Sequence, residues 1–451
     1  MRHLITPLAL LPLAAAAQQA QRPNILVIIA DDMARCELGP YGGQNLATPN
    51  IDRLAAEGMT MSANFCSMAM SVPIRASMYT GLYPARNGSY RNHKATYRGS
   101  RSVTHFLSDL GYRVGRAGKD HPVGQAKVYA FEKVPGFPVG CTMSHPPLAK
   151  ADGIREFMRR DAAQPFCLFV CSINSHAPWD AGDASEFNPD SVVLPPNCID
   201  DRTTREDFCN YLAEIRLFDN EVGLTLQALE ESGQADNTLV VLLSEQGPRM
   251  LFGKWTCYAY GQQSALIARY PGHIRPGSHS DALVQYEDLL PTFIEAAGGE
   301  RCDTLDGISQ LPVLLGRKKQ VRRWAYGMHN NHPEGPTYSS RSITDGRYKL
   351  IVNLNPDSTY TNHKFMRQNN VMWASWEETI KTDEHAAWLM DKYRHRPATE
   401  LYDLQTDPWE LHNLGADPRH AKRIKRMTAA LQQWMEQQGD RGIHMDDEAD
   451  D

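Results

Sequence analysis

Residues 24–32 read NILVIIADD. From Ile25 to Ala30 the run is apolar at every position and rich in β-branched side chains, and it stops at two acids. A strand with no polar face must be covered on both sides, as central strands of parallel sheets are. Two further stretches have this form. PFCLFVC (165–171) leads through SINSHAPW to His176 and Trp179, and NTLVVLLS (237–244) ends at Glu245 and Gln246. A shorter run, YRVGRAG (112–118), ends at Lys119, Asp120 and His121, and ALIARYPG (265–272) adds another strand.

Helical patterns separate these runs. TPNIDRLAAEGM (48–59) has Thr48 or Asn50 as a cap and Leu54, Ala55 and Met59 along one face. SVTHFLSDLG (102–111) is a helix ended by Gly111. Residues 205–232 form a long amphipathic helix, and YEDLLPTFIEAAGG (286–299) another. Strands alternating with helices imply an α/β fold, a doubly wound, mostly parallel sheet flanked by helices. Ligands of such sheets lie beyond the carboxyl ends of the strands. That edge is where Asp31, Asp32, His176, Glu245 and Gln246 fall.

Around GRKKQVRRW (316–324) the chain turns basic and loop-like. RSITDGRYKLIVNL (341–354) and TELYDLQTDP (399–408) then read as a small antiparallel sheet. A closing helix follows, with Ile424, Met427, Leu431 and Trp434 on one face, and the acidic tail HMDDEADD (444–451) reads as frayed. The expected division is a signal peptide at 1–20, a catalytic α/β domain at 21–316 and a smaller α+β subdomain at 317–451.

The first residues, MRHLITPLALLPLAAAAQQAQ, combine basic residues, a short apolar core and small residues, the pattern of a secretory signal. The protein is therefore expected to be periplasmic or secreted. No later run approaches the length of a membrane span, so no integral membrane segment is expected. The net charge of −6 argues against nucleic acid as a partner, and any anion site must be built locally. The nine cysteines are scattered without a CxxC, and their odd number leaves at least one free thiol in an exported chain. Cys167 and Cys171 read as small buried hydrophobes.

Asp31, Asp32, Glu245 and Gln246 offer oxygen ligands at two strand ends, the donor set of a hard cation, calcium or magnesium. No His and Cys cluster at ligand spacing, which argues against softer metals. Lys119, Lys254 in FGKWT (252–256) and Arg75 would place three cations near that ion, a setting for a compact tetrahedral oxyanion. His121 and His176 are candidates for moving protons. Ser71, at the start of SVPIRASMYTG (71–81), is left as the nucleophile, with Arg75 one helical turn away.

This stretch resembles the active-site signature of the type I, formylglycine-dependent sulfatases of the alkaline phosphatase superfamily: Cys or Ser, then x-Pro-x-Arg, then x4-Thr-Gly. RPNILVIIADD, TPNIDRLAAEGM, GYRVGRAGKDH, SHAPW, SEQG, GKWT and ELYDLQTDPWELHNL extend the resemblance over nearly the whole chain. The resemblance implies that Ser71 is oxidised to formylglycine before folding by a radical-type maturation enzyme. It implies that Asp31, Asp32, Glu245 and Gln246 hold one calcium ion, magnesium being the lesser candidate, with residue 71 completing the shell. Arg75 would fix the aldehyde hydrate that attacks sulfur. Lys119 and Lys254 would bind sulfate oxygens. His176 would protonate the leaving group, and His121 would take a proton when sulfate is expelled.

The chain departs from the family at Glu245-Gln246, where Asp followed by Asn or His is usual, and at Asp120 within GKDH. Its loops are similar to the N-sulfoglucosamine sulfohydrolase branch and its bacterial relatives. The implied substrate is a sulfated saccharide, O- or N-sulfated, of glycosaminoglycan, mucin or algal origin, with His93 and Trp179 as candidate sugar contacts. Two other readings stay open: a phosphodiesterase or phosphonate hydrolase of the same superfold, and a catalytically silent sulfated-glycan-binding protein.

Overall fold

The computed structural model describes residues 22–121, 125–367 and 370–447. The export segment expected at 1–20 lies outside them. Eight strands form the main sheet: β1 Asn24–Ala30, β2 Met59–Phe65, β3 Arg113–Gly118, β4 Glu132–Val134, β5 Phe166–Cys171, β6 Thr238–Ser244, β7 Gln263–Arg269 and β8 Ser278–Gln285. Their order is β4-β3-β5-β1-β6-β7-β2-β8. β1 pairs in parallel with β5 and β6, and β3 with β5, so these four point the same way. β7 is antiparallel to both β6 and β2, which returns β2 to the common direction.

The continuous apolar runs are explained by two layers of packing. Leu26, Ile28 and Ala30 of β1 face one core cluster, with Phe166, Leu168 and Val170 of β5 and Val240 and Leu242 of β6. Ile25, Val27 and Ile29 face the other, with Cys167, Phe169 and Cys171 and with Leu239, Val241 and Leu243. The first layer is closed by Phe208, Tyr211, Leu212 and Val222 of a helix spanning Arg202–Glu231. The second is closed by Ile74, Met78 and Tyr79 of the helix Ser71–Thr80 and by Phe293 of Leu289–Ala296.

A separate antiparallel sheet has the order β12-β11-β10-β9, from β9 Ala325–His329, β10 Ser340–Thr344, β11 Tyr348–Asn353 and β12 Thr399–Asp403. The helix Ala421–Gln438 lies against β10 and β11 and buries Met427, Leu431 and Trp434. Ile424 is only half-buried.

Several expectations change. Met59 opens β2; its helix ends at Glu57. Neither Thr48 nor Asn50 caps that helix: the Asp219 carboxylate accepts from the Asn50 and Ile51 backbone N–H groups. The long helix starts at Arg202, three residues early, because Asp201 accepts from the Thr204 N–H. The tail is not frayed as far as it is described. Asp446 is buried and accepts from the N–H groups of Asn331 and Tyr338. All nine cysteines are free thiols, and Cys167 and Cys171 are buried in the sheet.

Candidate active site

Because β1, β2, β3, β5 and β6 run the same way, their carboxyl ends open on one edge of the sheet. Asp31 and Asp32 follow β1. The 66–70 turn and Ser71 follow β2, Lys119 follows β3, and Ser172 to His176 follow β5. Glu245 and Gln246 follow β6. The parallel ladder runs on past the strands, with the Asp31 N–H on the Asn174 carbonyl (2.8 Å) and the Glu245 N–H on the Ala30 carbonyl (2.9 Å). Lys254 arrives on the loop before β7, and the Trp255 N–H donates to Ala69 O at 3.0 Å, which ties that loop to the turn before Ser71.

Gly118 makes the entry of Lys119 possible. Its φ is +81°, and a Cβ there would collide with the Cys171 carbonyl oxygen. Four non-glycine residues with left-handed backbone also line this region: Asp32, His93, Phe252 and Trp255. Such conformations cost about 1–3 kcal/mol each and persist where the surrounding structure over-determines them.

The side chains meet around Ser71, which is 4 % exposed. Its Oγ lies 3.0 Å from Lys119 Nζ and 3.5 Å from Gln246 Nε2. Lys119 Nζ also contacts Asp31 Oδ2 at 2.5 Å and Glu245 Oε2 at 3.4 Å. Arg75 Nη2 donates to Glu245 Oε2 at 2.8 Å, and Gln246 Nε2 donates to Asp32 Oδ1 at 2.5 Å. Lys254 Nζ donates to Asp32 Oδ2 at 2.7 Å, and His176 Nε2 stands 3.6 Å from that oxygen. Every one of these carboxylates and cations but His176 is at least nine-tenths buried.

Three buried carboxylates, Asp31, Asp32 and Glu245, therefore face three buried cations, Arg75, Lys119 and Lys254. Burial opposes charge on Lys119, but Asp31 and Glu245 outweigh it and hold the ammonium above its ordinary pKa. Burial likewise opposes the Asp32 carboxylate, and Lys254 first, with Lys119, keeps it ionised below the usual range. Burial and then Lys254 push His176 down to about 3. Burial and then Lys119 push His121 down to about 2. Both imidazoles are neutral at ordinary pH in this protein. His176 Nδ1 donates to the Ala177 carbonyl at 2.7 Å, which leaves the Nε2 lone pair toward the pit.

The donor atoms fit a hard cation. Asp31 Oδ1, Glu245 Oε1 and Gln246 Oε1 are all buried without a hydrogen-bond partner. Unpaired buried acceptors are costly, and a divalent ion satisfies several of them together. With such an ion the local formal charge becomes positive, which favours an anion at Ser71. Arg75 Nε and Nη1 are two further buried donors without partners.

His93 and Trp179 sit differently from the rest. The His93 ring is edge-on to His121, centroids 6.0 Å apart, so it borders the pit. Trp179 is only 7 % exposed, donates to Ser175 O at 2.8 Å and packs on Tyr211, so its bulk is structural. Asp120 forms an ion pair with Arg116. Two residues were not foreseen. Cys141 comes within 4.8 Å of ligand atoms of Asp31 and His176, so the fold makes a His–Cys–Asp cluster that the spacing in sequence concealed. Arg249 packs over Trp179 at 5.8 Å.

Comparison with known proteins identifies the family and the fold. The family model described as Sulfatase matches residues 23–299, and that of the N-sulphoglucosamine sulphohydrolase C-terminal region matches 247–370. An ulvan-active sulfatase of Formosa agariphila is 32 % identical over 93 % of this chain and 81 % of its own. The human N-sulphoglucosamine sulphohydrolase is 27 % identical over 92 % of this chain and 90 % of its own. Among solved structures, a protein in complex with its substrate D-glucosamine-2-N,6-O-disulfate superimposes with a TM-score of 0.72. It shares 21 % identity, covering 93 % of this chain and 99 % of its own, a likeness of fold.

Proposed function

The chain belongs to the sulfatase family, and on that premise we propose that it is an exported enzyme that hydrolyses the sulfate ester or sulfamate of a saccharide, with residue 71 as its nucleophilic position. The observation that carries this reading is the gathering beside one buried serine of three cations, Arg75, Lys119 and Lys254, of His176, and of three unpartnered oxygens from the ends of β1 and β6. The ulvan and N-sulphoglucosamine activities in the relatives' names support a sulfated glycan as substrate.

Asp31, Asp32, Glu245 and Gln246 would hold one divalent ion, and an all-oxygen set of this kind favours calcium. Bound there, the ion would supply positive charge that favours ionisation of a hydroxyl at position 71. Formylglycine at position 71 would supply the hydrated aldehyde that serves as nucleophile. A radical-type maturation enzyme is the proposed partner for that conversion. Ser71 is 4 % exposed, so conversion has to precede folding.

The chain's own residues account for the remaining requirements. Arg75 sits one turn along the helix from Ser71 with two free donors, suited to holding the nucleophile's oxygen. Lys119 and Lys254 present ammonium groups to an anion above Ser71, where fixed charges in a buried pit stabilise developing negative charge strongly. His176, its Nδ1 held by Ala177 O, turns its Nε2 lone pair to the same space, and only after Nε2 has taken up a proton can it hand one to the leaving atom. An anionic substrate beside it opposes the depression caused by Lys254. His121 is next to Lys119 and His93 and is assigned the proton released when sulfate departs.

The test is sulfate release from defined sulfated mono- and disaccharides, with protein whose residue-71 peptide has lost two hydrogens by mass. Ser71→Ala is expected to abolish turnover. Hydrolysis of phosphate diesters in place of sulfates, or glycan binding without turnover by fully converted protein, would refute the assignment.

A further inference from the structure

Positive charge continues above the atoms that surround Ser71. Arg249 stands on the loop that also carries Lys254, with its guanidinium over the Trp179 ring. Its Nε is shut off from solvent without a hydrogen-bond partner. No carboxylate of the described residues lies at ion-pairing distance from it. The charges that act on it are Asp207, then Asp32 in the pit, then Arg367.

Arg367 and Lys364 come from the other side, on the turn at 363–367, and both are exposed. That turn is anchored by packing and hydrogen bonds. Phe365, 1 % exposed, packs its ring against Trp255, Trp373, Trp376 and Tyr393. Asn362 Oδ1 accepts from the N–H groups of Lys364 and Phe365 at 2.9 and 3.0 Å. Trp255 is the neighbour of Lys254, so the second sheet's turn docks directly on the catalytic loop. Lys364 and Lys254 act on the same two groups, His93 and Glu334.

Arg249 and Arg367 thus lie close enough to act on each other, and Lys364 acts on His93 beside the catalytic residues, in a chain whose net charge is −6. Among the described residues the acids that act on these cations are Asp207 and Asp32 on Arg249 and Glu334 on Lys364, and Glu334 also accepts from Asn92 Nδ2 at 2.9 Å. A half-buried guanidinium without a partner is costly, and its planar fork matches a carboxylate or a sulfate.

We propose that Arg249, with Lys364 and Arg367 at the rim, forms a subsite for a second anionic group of the substrate, a sulfate or a carboxylate on the same sugar or its neighbour. The preferred substrate is then a multiply anionic saccharide. This deepens the sulfatase reading and rests on it.

The experiment measures binding by calorimetry to protein that still carries unconverted Ser71. One pair of ligands is a hexosamine with two sulfates and its monosulfated counterpart. The other is a monosulfated disaccharide with a uronate and its neutral hexose analogue. A charged hydrogen bond to the extra group predicts about tenfold or greater preference for the more anionic member of at least one pair. The first pair responds if the extra group is a sulfate, the second if it is a carboxylate. Arg249→Gln is expected to remove most of that ratio, and Arg249→Lys, which keeps charge but loses the fork, to remove part of it. Folding of each variant is checked by its melting curve. Wild-type ratios near one in both pairs, or ratios unchanged in Arg249→Gln and in the triple variant with Lys364→Gln and Arg367→Gln, would overturn the subsite. Sulfate release from the monosulfated sugars is read separately on converted protein. Its absence beside an intact binding ratio counts against the catalytic reading and leaves the subsite standing.

Discussion

Lys119 is fully buried and touches Asp31, Glu245 and Ser71 at once. In the metal-free protein it is the counter-ion that makes those two carboxylates tolerable. Removing one partner of a buried ion pair costs about 3–5 kcal/mol, because the other charge is left without compensation. Lys119→Met is therefore expected to lower the melting temperature of metal-free protein sharply, with added calcium restoring part of it; differential scanning calorimetry with and without calcium checks this. In converted protein the same change should cost about 10²–10³ in kcat, as loss of one fixed donor to a developing oxyanion does. For the wild type, calcium titration should raise the melting temperature, and Asp31→Asn or Glu245→Gln should abolish most of that rise. At this scale the sequence was informative where chemistry follows a strand: Asp31, Asp32, Glu245 and Gln246 terminate apolar runs and Lys119 a shorter, mixed one, so the fold class alone predicts that they share an edge. Arg249 and Cys141 sit on irregular loops with no periodic pattern, and nothing local in their sequence points at a site.

Elements were legible in proportion to how fully they are buried. β1, β5 and β6 lie inside two layers and read as unbroken apolar runs. β2 is also buried but carries Thr60, Ser62 and Asn64, and its pairing shifts register near Met61. Its polar positions hid it behind the preceding helix. β8 is an edge strand whose first half is half-exposed, so its run of Ser, His and Asp resembled a loop. The helix Pro49–Glu57 illustrates a different limit. Its cap comes from Asp219, whose Oδ1 accepts from Asn50 N at 3.1 Å and Ile51 N at 2.9 Å, across 168 residues or more. No local reading finds such a cap. Asp219→Ala is expected to cost about 1–2 kcal/mol, the range for loss of an N-cap, measured as a shift in urea midpoint at unchanged slope.

Across the whole molecule, the second sheet is fastened by the chain's last segment. Arg341, fully buried, binds Asp440 through two hydrogen bonds, Nε to Oδ2 at 2.5 Å and Nη2 to Oδ1 at 2.7 Å. Asp440→Ala should cost about 3–5 kcal/mol for the charge left behind, again read by urea unfolding. The tail looked frayed in the sequence because acidic composition was the only guide, whereas its partners lie about 100 residues away. A pH dependence follows from His329 in β9. Burial and then Arg396 and Arg341 depress it to about 3. A depressed imidazole contributes stability that is present above its ordinary pKa near 6.5 and is lost as pH falls toward 3. The loss reaches on the order of 4 kcal/mol at the acid end. Replacing it by His329→Gln should flatten the stability profile between about pH 6 and pH 4 in urea titrations repeated at each pH. The sheet order itself has a consequence in time. Asp32 and Gln246 meet across 214 residues and Lys119 and Glu245 across 126, because β1 sits between β5 and β6. Contacts so distant along the chain form slowly. Refolding should therefore recover helical circular dichroism well before it recovers calcium binding, and the pocket should be among the last features to appear as the chain leaves the unfolded state.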